Sequence, residues 1–318
     1  ATKVAINIGL GALSAYTYLK NEKDRNKIGQ SVYKNGLSGM KMFSEFLLTE
    51  KLGTYAPDKI YVSEISISIV EKYINWRKTV KKNTDDTINH SLTPILKGCK
   101  KAAIEGYISQ TLNNSIQGMR IVTTKSLEND GGDNIRHLST EELKRLAEWY
   151  ENDREPRRRE YVEMFMFAMY ACGLRFVDVL TLQWCNIDFS NKTISKIQVK
   201  TKNRNVIPLT DRAVEILNQW KDKTVDGRFV FGMIPDDFNL DDREPLYRIR
   251  NTKTRGINQS LEVVGENLKL KFTLSFHVAR HTFAVHALNQ GMTMTAVSQL
   301  LGHTSTEMTE RVYAHYIP

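Results

Sequence analysis

His277 and Arg280, in the segment Ser-Phe-His-Val-Ala-Arg-His-Thr-Phe-Ala, stand three residues apart. On a helix they share one face and set a proton-transfer group beside a guanidinium, though surface helices carry such pairs often. What gives this pair weight is the company it keeps along the chain. Arg175 lies in Ala-Cys-Gly-Leu-Arg-Phe-Val-Asp, and Lys200 in the polar stretch Val-Lys-Thr-Lys-Asn-Arg-Asn ahead of Val206-Ile207-Pro208-Leu209. His303 follows in Leu-Leu-Gly-His-Thr-Ser, and Tyr313 in Met-Thr-Glu-Arg-Val-Tyr-Ala-His-Tyr. Guanidinium forks neutralise oxyanions, and a hydroxyl with a pKa near 10 becomes a nucleophile once a base or nearby cations draw off its proton.

In order and spacing these fragments resemble the tyrosine recombinase and integrase family, whose active site is Arg, Lys, His-x-x-Arg, His or Trp, and Tyr. The motifs cover residues 138–318, and a helical, basic pattern like the family's core-binding domain covers residues 35–125. The resemblance implies that Arg175, Lys200, His277, Arg280 and His303 are the activating residues and Tyr313 the nucleophile. Physical chemistry fits those roles. Arg175 and Arg280 would hold the non-bridging oxygens of a phosphodiester and stabilise its pentacoordinate transition state, His277 would take the tyrosine proton, and Lys200 would protonate the leaving oxygen. Lys200 is preferred over Lys202 because its distance to Val206-Ile207-Pro208-Leu209 matches the family. His303 would donate to a non-bridging oxygen, and Asp178, one turn after Arg175, would either pair with that arginine or orient it. His281, His286 and His315 read as bystanders, and Tyr316 as a poor candidate for the nucleophile.

By the same resemblance Tyr313 would form a 3′-phosphotyrosyl bond and leave a free 5′-hydroxyl, so that strands are exchanged without a cofactor. The partner would be double-stranded DNA, with four subunits on two sites and accessory DNA-bending proteins, in the integration and excision of a mobile element. The location would be cytoplasmic, at the nucleoid. Only five residues follow Tyr313, so no long tail for docking on a neighbour is carried over. Two other readings share parts of the pattern. A type IB topoisomerase uses nearly the same residues, and a non-catalytic DNA-binding regulator would explain Thr293 to Leu301 as a helix-turn-helix fragment.

The rest of the chain agrees with a polyanionic partner. Its 318 residues are 41% apolar and carry a net charge of +9. Residues 1–125 hold 19 basic and 10 acidic side chains and residues 126–318 hold 26 of each, so the whole excess lies in the first part. That part reads as an electrostatic grip on phosphates, with Lys97, Lys100 and Lys101 as DNA contacts, joined in the second part by Lys202 and Arg204. Cys99, Cys172 and Cys185 have neither disulfide nor zinc spacing, and the pairs Asp236-Asp237 and Asp241-Asp242 share one turn with no histidine partner, so no metal is expected. The longest apolar run, Met164 to Leu174, is too short to span a bilayer.

The elements that must position these residues follow from periodicity. Leu37, Met40, Phe43, Phe46 and Leu47 recur at helical spacing, as do Ile88, Leu92, Ile95 and Leu96; Ile65, Ile67 and Ile69 fit either a helix or a strand. Polar residues around Gly131-Gly132 form a linker, and Ser139 with Glu142 makes a capping box that opens a second helical domain. Thr193 to Val199 and Asn205 to Leu209 read as a hairpin, with helices expected at Asp211 to Trp220, Leu246 to Leu268, Phe276 to Asn289, Thr295 to Leu301 and Thr306 to His315. The expected fold is mainly α with a small antiparallel sheet (α+β). It divides into an extension at 1–34, a helical core-DNA-binding domain at 35–125, a linker at 126–137 and a catalytic domain at 138–318.

Overall fold

In the computed structural model, residues 28–51, 65–122, 135–200, 203–224, 226–303 and 305–316 are described, with short pieces at 5–6, 23 and 60–61. Most of the 1–34 extension, most of the 126–137 linker, and Lys202 lie outside these residues. The chain divides into two compact units, Ala1–Lys125 and Ser126–Pro318.

The first unit contains β1 (Ala5–Ile6), α1 (Gln30–Thr49), β2 (Ile60–Tyr61), α2 (Ile67–Thr79), α3 (Asp85–Ile104) and α4 (Gln110–Gln117), with β1 and β2 antiparallel. Hydroxyl caps start three of the helices: Ser66, Thr84 and Ser109 each accept the backbone N–H three residues on. Ser66 thereby settles the ambiguity at Ile65–Ile69 in favour of a helix. Phe43, Phe46, Tyr73 and Trp76 pack together at the centre of this core. Gly39 lets α1 cross α3, since a Cβ there would lie 2.7 Å from the Ser91 carbonyl oxygen and 2.9 Å from Pro94 Cγ. Lys97, Lys100 and Lys101 are exposed along α3, where Lys97 and Lys101 are one turn apart and Lys101 pairs with Glu105 at 3.6 Å.

The second unit runs α5 (Thr140–Asn152), α6 (Pro156–Tyr170), α7 (Phe176–Leu180), β3 (Ile187–Asp188), β4 (Thr193–Ile197), β5 (Arg204–Pro208), α8 (Asp211–Lys223), α9 (Arg243–Asn267), α10 (Phe276–Asn289), α11 (Met294–Leu301) and α12 (Thr306–Tyr313). The Ser139/Glu142 capping box forms as the sequence indicates. The strands make one antiparallel sheet in the order β3-β4-β5, so a third strand joins the expected hairpin. Helices α6 and α10 are apolar on most sides and form the middle of the core, with Phe165, Phe167, Phe276, Val278 and Ala279 buried. A second cluster joins α10, α11 and α12 through Ala284, Val285, Leu288, Val297, Leu301 and Tyr313. Asp236 Oδ1 accepts the backbone N–H of Arg228 at 2.7 Å, which makes that acidic loop a structural turn. Among the described residues, no helix is long and apolar enough to cross a membrane.

Candidate active site

Arg280 sits one turn into α10 and is only 4% exposed. Its guanidinium donates to the carbonyl of Gly173 at 2.9 Å, to that of Leu301 at 2.8 Å, and to His303 Nε2 at 2.8 Å. The left-handed turn at Cys172 (φ +57°) and Gly173 (φ +73°) after α6 presents the first of these carbonyls. A side chain on Gly173 would meet Arg280 Cα at 3.2 Å, so glycine lets the turn approach α10. Burial, then the charge of Arg175, lowers the Arg280 pKa to about 9. It remains a cation at neutral pH.

The same turn leads into Arg175, the residue that begins α7, and its Nη1 donates to Gln198 Oε1 at 2.7 Å. Gln198, just past β4, packs against Gly302, the left-handed residue that ends α11. Among the described residues Arg175 makes no ion pair with Asp178. The buried Asp178 carboxylate instead accepts the Val199 N–H at 2.8 Å, tying α7 to the chain just before Lys200. Burial raises the Asp178 pKa.

Lys200 is exposed at the start of the β4–β5 turn, and desolvation followed by the fields of Arg175 and Arg280 lowers its ammonium pKa. Such a shift eases release of its proton. Arg204, also exposed, donates to Ser195 Oγ at 3.1 Å across the hairpin.

His303 follows Gly302 and bridges two groups: its Nε2 meets Arg280, and its Nδ1 meets Thr309 Oγ1 at 2.7 Å. Four residues after Thr309 on α12 comes Tyr313, which is 2% exposed. Its hydroxyl lies 2.7 Å from Nδ1 of His281, the residue set aside in the sequence as a bystander, and His281 packs edge-on against His277 with ring centroids 4.6 Å apart. Desolvation, then neighbouring positive charge, lowers the pKa of His277, His281 and His303 to about 4, so all three are neutral at pH 7. Burial raises Tyr313 to about 12, opposed by Arg280. With both groups neutral, one hydrogen bond joins them, its donor set by the histidine's tautomer.

Spacing alone could have pointed to His281, since it is one turn from His277 and next to Arg280 in the sequence. Which histidine meets the phenol depends on where α12 docks. His286 bonds the Leu138 carbonyl at 2.8 Å, and the side chain of His315 lies outside the description.

Residues 136–317 match the model of the Phage integrase family, and residues 13–116 that of the Phage integrase SAM-like domain. The chain belongs to the phage integrase family, the tyrosine recombinases. A curated relative, Tyrosine recombinase XerC of Chlamydia muridarum, is 26% identical over 315 residues, which cover 94% of this chain and 90% of the relative. The fold is similar to that of the Tn1549 transposon integrase solved with a circular-intermediate DNA, with TM-score 0.68, 15% identity, and 96% and 94% of the two chains covered. It is also similar to a lambda integrase solved as a dimer on a COC′ core site, with TM-score 0.64, 17% identity, and 100% and 78% covered.

Proposed function

We propose that this tyrosine recombinase cuts and rejoins DNA through a covalent bond to Tyr313. The observation that carries the reading is the meeting of two guanidiniums, a bridging histidine and a docked tyrosine around the end of α11. Arg175 and Arg280 exchange protein acceptors for the two non-bridging oxygens of a phosphodiester, and His303 adds a third contact. The Tyr313 oxygen attacks phosphorus, the bond from phosphorus to the 5′ oxygen breaks, and a 3′-phosphotyrosyl link remains. The phenol proton passes to His277, with His281 holding the hydroxyl beforehand, and Lys200 gives a proton to the leaving oxygen. Attack by the 5′-hydroxyl of another strand reverses these steps and restores Tyr313.

Lys97, Lys100 and Lys101 in the first unit, with Lys202 and Arg204 in the second, neutralise flanking phosphates. The assembly is four subunits on two DNA sites, and the setting is integration and excision of a mobile element. The test is incubation with duplexes from the flanks of the coding region in the presence of chelator. The expected result is protein on the 3′ side of the nick, a 5′-hydroxyl on the other side, and recombinant products when two sites are supplied. Protein attached to the 5′ end, or cleavage only with added divalent metal, would refute the reading.

A further inference from the structure

Arginine has donors and no acceptor, so the 2.8 Å contact with Arg280 requires His303 Nε2 to be bare. The ring's proton therefore sits on Nδ1 and is donated to Thr309 Oγ1. Thr309 is 0% exposed, leaving that hydroxyl out of reach of bulk water, and it lies one helical turn before Tyr313 on α12. A bare nitrogen suits Arg280 but repels a phosphate oxygen. For His303 to meet an anion, Nε2 must carry hydrogen, and a neutral ring then requires Nδ1 to accept. A hydroxyl can serve as either partner by rotation, which neither a carbonyl nor a methyl could do.

We propose that Thr309 is a positioning residue that sets the hydrogen-bonding state of His303, accepting from Nδ1 while Arg280 occupies Nε2 and donating to Nδ1 once a phosphate oxygen takes His303's place on Arg280. One proton leaves Nδ1 and one arrives on Nε2, both exchanged with solvent, and the ring stays neutral. The low pKa of His303 agrees with a neutral ring in both states. Because Thr309 and Tyr313 share α12, docking the nucleophile and readying His303 become one event. The inference rests on His303 acting on the scissile phosphate.

The test combines cleavage rates on a nicked suicide duplex with ¹⁵N spectra of the histidines. Thr309→Val keeps the shape and removes the hydroxyl, and it should slow formation of the covalent complex about 10- to 100-fold, the range for groups that orient a ligating histidine. Thr309→Ser should stay within a few-fold of the parent chain. In a His303→Ala background, Thr309→Val should add no further loss. The spectra should show His303 with hydrogen on Nδ1 in the free protein, and on Nε2 in Tyr313→Phe bound to the duplex. If His303→Ala slows cleavage but Thr309→Val is harmless, or costs the same with and without His303, the role of Thr309 is overturned while that of His303 stands. An unchanged rate in His303→Ala overturns both.

Discussion

Gly302→Ala touches no group that contacts the phosphate, yet it should disable the site by way of Gln198. Gly302 has φ +65°, where an alanine costs about 1 kcal/mol. Its Cβ would stand 2.2 Å from Gln198 Nε2 and 2.7 Å from both Cδ and Oε1. An amide on the surface would step aside, but Gln198 is 2% exposed and accepts from Arg175 at 2.7 Å. Moving it breaks a bond to a charged group, worth about 2 kcal/mol. The two costs come to about 3 kcal/mol, which for a unit of this size lowers the melting temperature by about 6–12 °C. Calorimetry follows that change, and the cleavage rate on a suicide duplex should fall about 10-fold or more as Arg175 loses its support. Gln198→Ala alone forfeits the same bond, so adding it to Gly302→Ala should lower stability much less than it does in the parent chain. A melting temperature within 2 °C of the parent, or a Gln198→Ala loss as large in Gly302→Ala as in the parent, would refute this account of how α11 and β4 brace Arg175.

Arg175→Ala and Arg280→Ala should each slow cleavage by about 100-fold or more, with much smaller changes in DNA affinity, as measured by single-turnover cleavage and a binding titration; parallel losses in both would make them phosphate anchors only. Acid should destabilise the second unit. With folded pKa values near 4 and unfolded values near 6.5, the half-buried His281 and His303 leave stability whole above pH 6.5, and it falls as pH drops toward 4. His281 contributes about 1 kcal/mol per pH unit in that window and His303, half open to screening solvent, less, so melting at pH 5 should come below melting at pH 7, and equal midpoints would contradict the assignment. Chelator should leave strand cleavage intact, since in the proposed reaction the nucleophile and the charges on the phosphate come from side chains; a rate restored only by magnesium would contradict this.

Most of the helices were legible because burial enforces period. Phe276 to Asn289 is apolar enough to be read with its observed bounds, and Ser139 with Glu142 announces its helix by local chemistry alone. Where local signals conflict or are few, tertiary packing decides. Ile65, Ile67 and Ile69 alternate like a strand, but the Ser66 hydroxyl starts a helix and Val70 and Tyr73 bury its inner face. Gln110–Gln117 has only Leu112 and Ile116 as large apolar residues and becomes a helix by packing Ile116 into the first unit's core. Ile187–Asp188 is too short for any period and is a strand only through its pairing with Thr193 and Ile194.

The site divides in the same way. Residue types and order single out Arg175, Lys200, His277, Arg280, His303 and Tyr313 in the sequence, whereas what each one touches comes from the fold. Gln198 and Thr309 carry no motif, and His281, although its spacing from His277 marks it, has no partner that the sequence names. They meet Arg175, His303 and Tyr313 because β4, α11 and α12 converge beside α10.

The most direct measurement is the site of covalent attachment. Protein trapped on a nicked suicide duplex, digested with protease and nuclease and analysed by mass spectrometry, should carry its nucleotide on the peptide containing Tyr313, at the phenolic oxygen. Tyr313→Phe should bind the duplex with unchanged affinity and yield no adduct, while Tyr316→Phe should yield as much as the parent. A nucleotide on Tyr316 or any other residue, or an adduct that persists in Tyr313→Phe, would contradict the assignment of Tyr313 as the nucleophile.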